Sequence, residues 1–276
     1  METVVGRFAA QVERPEPIKF AYPIVLLPEL FTTRRHQAIL IGFLATIGWE
    51  VYAPDLRSAA GRDGIPALGR LSFEQVAAIA GEALDAIGRE AIVIGHGFGG
   101  LVALKMAERA RVKASVALAP MIPGVRTPLF MRAGNIPAMW LKRPLKPPRG
   151  RPLFHMLTDV EPFQREALIK ALVPDASVAA LEIVRGAVRF AADVAVPRLI
   201  VAGGSDPLIA AERVESLAGE IGAAFKSLPG QGHWLIGGRA VERAVGEVHR
   251  FLVRSLGQEL LLLYPEEWRD EPSSGD

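Results

Sequence analysis

The stretch AIVIGHGFGGLVALKMAE, residues 91–108, concentrates the residues of this chain whose types and spacing could do chemistry. An apolar run gives way to Gly95-His96-Gly97-Phe98-Gly99-Gly100 and then to a helix-forming segment. Small residues at Gly95 and Gly99 permit a sharp strand-to-helix turn with little steric cost. Glycines at 95, 97 and 100 match the G-x-G-x-x-G that lets a backbone approach a pyrophosphate, a motif that wants an acidic ribose partner about 20 residues on. The next strand ends instead in Ala119-Pro120-Met121, with no Asp or Glu before Asp159. The turn also follows the third strand, where dinucleotide folds place it after the first. Nucleotide binding is disfavoured, and no cofactor is expected. The histidines His36, His155 and His249 lie apart, and no H-x-x-x-H or carboxylate cluster has metal-ligand spacing, so no metal is expected either. With no cysteine there is no disulfide, thiolate nucleophile or thiolate metal site.

The elements that must position these residues read as α/β. The 276 residues are 50% hydrophobic and 22% charged, which excludes a disordered chain and allows a sizeable core. Apolar runs at 24–27, 49–53, 91–94, 113–119, 198–202 and 223–228 read as strands. Between them, helices are expected at about 33–47, 72–87, 98–109, 175–191, 209–221 and 239–256, with Ser72 and Gln75 forming a capping box and Asp175 capping its helix. This alternation predicts a mostly parallel sheet flanked by helices. The rhythm breaks from Pro120 to about Pro174, an insertion with short helices of its own, one over 163–172. From Arg109 to Thr158 there are ten Arg or Lys and no acid, and eight prolines fall between Pro120 and Pro152. That insertion is placed to meet an anionic group, although solvated positive surface explains it as simply. A net charge of +2 is too small to imply nucleic acid, and no apolar run approaches a membrane span. The N-terminus lacks a signal peptide's apolar core, so a cytoplasmic protein is expected. The run Leu260–Tyr264 must pack on this chain or on a second copy, and a polar tail follows it.

The elbow at 95–99 resembles the G-x-S-x-G nucleophile elbow of the α/β-hydrolase superfamily, with Gly97 standing where the family has serine. The resemblance covers nearly the whole chain. WEVYAPDLRSAAG is similar to the family's strand and following loop, VAGGSDPLI to the segment carrying the acid, and LPGQGHWLIG to the segment carrying the histidine. It implies Asp206 as the acid, His233 as the base, and the backbone N–H groups of Phe98 and Leu30 as oxyanion donors. It implies a core domain of residues 1–119 and 175–276, with 120–174 as a helical cap of the esterase/lipase-like kind. His96 is a packing residue in this scheme. Glu29, His155 and Trp234 are candidate pocket residues. The apolar residues Phe130, Met131, Met139, Trp140, Leu153, Phe154 and Met156 would roof the site, favouring a small apolar ligand or ester-like substrate.

Two departures bear on activity. Gly97 has no side chain and cannot form an acyl-enzyme. Where the family carries His-Gly after its first parallel strand, this chain has Pro28-Glu29-Leu30, and a carboxylate beside an oxyanion site repels developing negative charge. Ordinary serine-esterase activity is therefore not expected. One reading is a homologue that binds a ligand or partner without catalysis. Another is an enzyme without a covalent nucleophile, with His233 as general base towards water or substrate and Glu29 as a second acid/base. A third is a serine hydrolase silenced by engineering at position 97.

Overall fold

The computed structural model describes residues 1–58, 68–126 and 135–262. Residues 59–67 of the Gly-rich loop, Phe130, Met131 and everything from 263 onward, including Tyr264, lie outside the described residues. Runs that are apolar at every position suit strands covered on both faces, and these form the middle of the sheet. They are β3 (Ile24–Leu27), β4 (Val51–Pro54), β5 (Ala91–His96), β6 (Val112–Leu118) and β7 (Arg198–Gly203), buried at every position except Lys113 of β6. At the margins lie β1 (Glu2–Val5), β2 (Phe8–Glu13), where buried and partly exposed residues alternate, and β8 (Ala224–Leu228). The sheet order is β1-β2-β4-β3-β5-β6-β7-β8. β1 and β2 run antiparallel, and the other strands pair in parallel from β4 to β8. The N-terminal hairpin was not anticipated from the sequence, because its alternation spans only a few residues.

The flanking helices are α1 (Ala38–Ile47), α2 (Phe73–Ile87), α3 (Phe98–Met106), α4 (Asn135–Trp140), α5 (Arg151–Met156), α6 (Pro162–Lys170), α7 (Ser177–Val184), α8 (Ala211–Ile221) and α9 (Val241–Leu256). A 3-10 turn over Arg34–Gln37 precedes α1, where a single helix from Thr33 was expected. The Ser72–Gln75 capping box starts α2 as its sequence predicts: the Gln75 amide donates to Ser72 Oγ at 3.2 Å, and the Ser72 amide to Gln75 Oε1 at 2.9 Å. One expectation is overturned. The helix expected over 175–191 runs only over Ser177–Val184, with Ala176 as its cap, because Gly186 takes a positive φ and ends it.

The Asp175 carboxylate, instead of capping a helix, binds the Ala176 and Phe31 amides and Arg57. The described start of the run 260–264 packs on its own chain. Leu260 is fully buried and its carbonyl accepts from the Ala21 amide at 2.9 Å, Leu261 bridges Phe20, and the Leu262 amide donates to the Lys19 carbonyl at 3.0 Å. Among the described residues no helix is long and apolar enough to cross a membrane.

Candidate functional site

Loops leaving the C-terminal ends of β3, β5, β7 and β8 converge, as parallel sheets require of their ligand-facing edge. The register of β3 on β5 pairs Leu27 with Gly95. Two residues further on, in the segments that leave both strands, Glu29 and Gly97 meet. Gly97 takes φ +52, a conformation that favours glycine. A Cβ built on it would fall 1.2 Å from Glu29 Oε2, so the glutamate side chain occupies the space a side chain at 97 would need. Gly99 has a second reason to be glycine: its Cβ would lie 2.4 Å from the Leu27 carbonyl oxygen.

The Glu29 carboxylate is held at both ends. Oε1 accepts from the Leu30 amide at 2.6 Å and from the Phe98 amide at 3.0 Å. Both amides that the sequence assigned to an oxyanion thus point at the chain's own carboxylate. Oε2 faces His233 Nε2 at 3.4 Å and His96 Nδ1 at 4.0 Å. On its other side His233 Nδ1 meets Asp206 Oδ2 at 2.8 Å. The second Asp206 oxygen accepts from the Leu208 and Ile209 amides at 2.8 and 3.2 Å, which fixes the carboxylate in its loop. All of these side chains are buried to within 2% of complete.

Electrostatics follow from this enclosure. Burial by itself favours neutral imidazole, but carboxylates on both sides of His233, Asp206 foremost and Glu29 next, raise it to about 10. The two carboxylates thus favour the protonated form of His233. Burial would raise the Asp206 carboxyl, yet the charge and hydrogen bond of His233 and the two amides hold it below its ordinary value. His96, buried and next to the His233 charge, is lowered to about 3 and stays neutral. Its Nε2 lies 2.8 Å from the His233 carbonyl and donates to it. Its Nδ1 is buried without a hydrogen-bond partner among the described residues.

The fold thus brings together Glu29, Leu30, Gly97, Phe98, Asp206 and His233. The other two candidate residues stand apart. Trp234 is buried edge-on against His96 and His36, with ring centroids 5.4 and 6.1 Å away. His155 lies on α5 beside Arg151 and Phe154. Neither lines the cavity that reaches Glu29. That cavity, of about 40 Å³, is walled by Leu27, Leu56, Leu71, Val76, Phe98 and Val102, with the Arg57–Asp175 ion pair at its polar end.

Sequence reasoning missed two positioning groups. Asp159 accepts the Gly232 amide on both oxygens, at 3.1 and 3.0 Å, and so holds the His233 loop. The only signal was that it ends a 50-residue stretch without an acid. Asp175, read as a cap, ties the chain after β3 to Arg57 after β4. The third omission is the cluster itself. Sequence spacing shows no metal-type grouping, yet Glu29, His96 and His233 each offer a ligand atom within 4.8 Å of the others.

Comparison with known proteins agrees with this architecture. The profile of the Alpha/beta hydrolase family matches residues 27–247. The monoacylglycerol lipase of Paleococcus ferrophilus superposes with a TM-score of 0.65 at 18% identity, covering 89% of this chain and 99% of that one. A thermophilic esterase from Thermogutta terrifontis gives 0.66 at 19% identity, covering 92% and 97%. A hydrolase from Pseudomonas aeruginosa gives 0.62 at 19%, covering 91% and 94%. At such identities the likeness is one of fold. No curated protein matches the chain in sequence.

Proposed function

The chain belongs to the alpha/beta hydrolase family, and from that premise we propose that it is a ligand-binding member without serine-type ester hydrolysis, its nucleophile position filled from within by Glu29. The observation that carries this reading is the 1.2 Å between Glu29 Oε2 and a Cβ at position 97. Three requirements of acyl transfer fail together. Gly97 offers no nucleophile, the Leu30 and Phe98 amides are already bonded to Glu29, and the carboxylates on both sides of His233 favour its protonated form. The last point weighs against His233 as a general base near neutral pH. The mutual fit of Glu29 and Gly97 also weighs against a single engineered replacement at 97, since a serine there would collide with the glutamate.

In this reading residues 120–174 form a cap over the core, tethered by Asp159 and Asp175. The ligand is small and largely apolar, with a polar group facing Arg57. A cavity of about 40 Å³ holds about three waters or a chain of a few carbons, one water needing roughly 10–15 Å³.

The test is turnover of activated esters of short acyl chain by the wild type, Gly97→Ser, Glu29→Gly and the double variant. Turnover is expected only in the double variant, where a serine has room and the two amides are released. Wild-type turnover matching the double variant would overturn the reading.

A further inference from the structure

We propose that Glu29 Oε2, His96 Nδ1 and His233 Nε2 form a binding site for a divalent transition-metal ion of the zinc type. The three atoms lie within 4.8 Å of one another. The Glu29–His233 edge is 3.4 Å and the Glu29–His96 edge 4.0 Å. Two donors each about 2.1 Å from one ion stand about 3.4 Å apart at a tetrahedral angle. One edge already has that length, and the others, within 4.8 Å, shorten on binding.

Each ligand is oriented by an outer partner that leaves one atom turned inward. Glu29 Oε1 is taken by the Leu30 and Phe98 amides, which leaves Oε2. His233 Nδ1 is taken by Asp206, which leaves Nε2. His96 Nε2 is taken by the His233 carbonyl, which leaves the Nδ1 lone pair in the cluster with no donor to meet it. Outer partners of this kind, a carboxylate or a carbonyl on the far nitrogen of each imidazole, are what fix metal-binding histidines. A buried acceptor without a donor is costly, and a cation supplies what it lacks. Two imidazoles and one carboxylate suit zinc or its first-row neighbours, whereas calcium and magnesium prefer oxygen throughout. The cluster exists because position 97 is glycine, since any Cβ there would expel Glu29. This inference goes beyond the ligand-binding reading and stands apart from it, because metal uptake and ester turnover are measured separately.

The experiment titrates the chelator-stripped full-length protein with Zn²⁺ by calorimetry and with Co²⁺ by visible absorption. One equivalent is expected, with the intense visible band of a low-coordinate Co²⁺ ion. Glu29→Gln and His96→Gln should each weaken binding at least tenfold, and His155→Ala should leave it unchanged. Absence of stoichiometric uptake, or wild-type affinity in both cluster variants, would overturn the proposal. Should either variant lack a cooperative melt, X-ray absorption of the zinc-loaded wild type decides: imidazole in the ligand shell together with a carboxylate oxygen is expected, and a shell without imidazole refutes the site.

Discussion

At the residue scale the site turns on the pairing of Glu29 with Gly97. In a serine-dependent relative the amide pair waits for charge that appears only during reaction. Here a carboxylate of the chain itself is bonded to both amides and faces His233 on its other oxygen. The two positions are therefore energetically coupled, and a change at one is felt at the other. Gly97→Ser alone should destabilise the fold by about 2–4 kcal/mol, combining a side chain at positive φ with overpacking against Glu29. Glu29→Gly in the same chain should return much of that loss. A double-mutant cycle by urea denaturation measures it, and additive effects of the two substitutions would contradict the contact. The same geometry explains why restoring the serine by itself is not expected to restore ester turnover.

At the scale of elements, the antiparallel edge is pinned to the parallel core by one buried acid. Glu50, just before β4 and 2% exposed, takes Arg14 Nε at 2.7 Å and the Tyr52 hydroxyl at 2.8 Å on Oε1, and Arg89 Nη1 at 2.7 Å on Oε2. Arg14 follows β2 and Arg89 precedes β5, so three parts of the sheet share one carboxylate. Burial pushes the Glu50 carboxyl up, but its three hydrogen bonds and the charge of Arg89 bring it below its ordinary value. A carboxyl lowered by folding contributes stability that is complete above its unfolded value and is lost as pH falls through its folded one. Glu50→Gln should accordingly cost about 1–2 kcal/mol at pH 7, discounted because both arginines are about half exposed, and much less at pH 3. Urea melts of both proteins at the two pH values read this out, and an equal cost at both would remove Glu50 from the account.

At the scale of the whole molecule, the site is shut by contacts between segments far apart in the chain. Asp175 binds the Phe31 amide at 2.9 Å and Arg57 Nη2 at 2.6 Å, and both side chains of that ion pair are mostly buried, at 12% and 16% exposed. It joins the loop after β3, the loop after β4 and the chain entering α7. Removing one partner of a buried pair leaves the other uncompensated, so Asp175→Ala should cost about 3–5 kcal/mol. It should also speed amide exchange in the Glu29–Phe31 loop, while Lys170→Ala, on an exposed ion pair of α6, should do neither. Hydrogen exchange by mass spectrometry distinguishes the tether from a general loss of stability, since the latter would raise exchange across the sheet as well.

The parallel sheet, the strand–turn–helix at 91–106 and the Ser72 capping box were legible in the residues because each rests on local physics: apolar runs, glycines that allow a tight turn, and a side chain that reaches only three residues on. Asp206 and His233 were legible through their resemblance to segments of a known family, and the fold brings them to 2.8 Å. The end of the helix after Asp175 was misread, since Gly186 outweighed a favourable pattern beyond it. What Glu29 does could not be read, because nothing near it in sequence states its partner. Its partner is set by the pairing of β3 on β5, which ends at Leu27 and Gly95 and brings the loops beyond, with residues 29 and 97, together. The parallel strands and most of the helices between them were thus determined by the sequence alone. The meeting of that carboxylate with the Phe98 amide and two imidazoles was decided only by tertiary structure, because the fold joins residues 67 and more positions apart that no local rule relates.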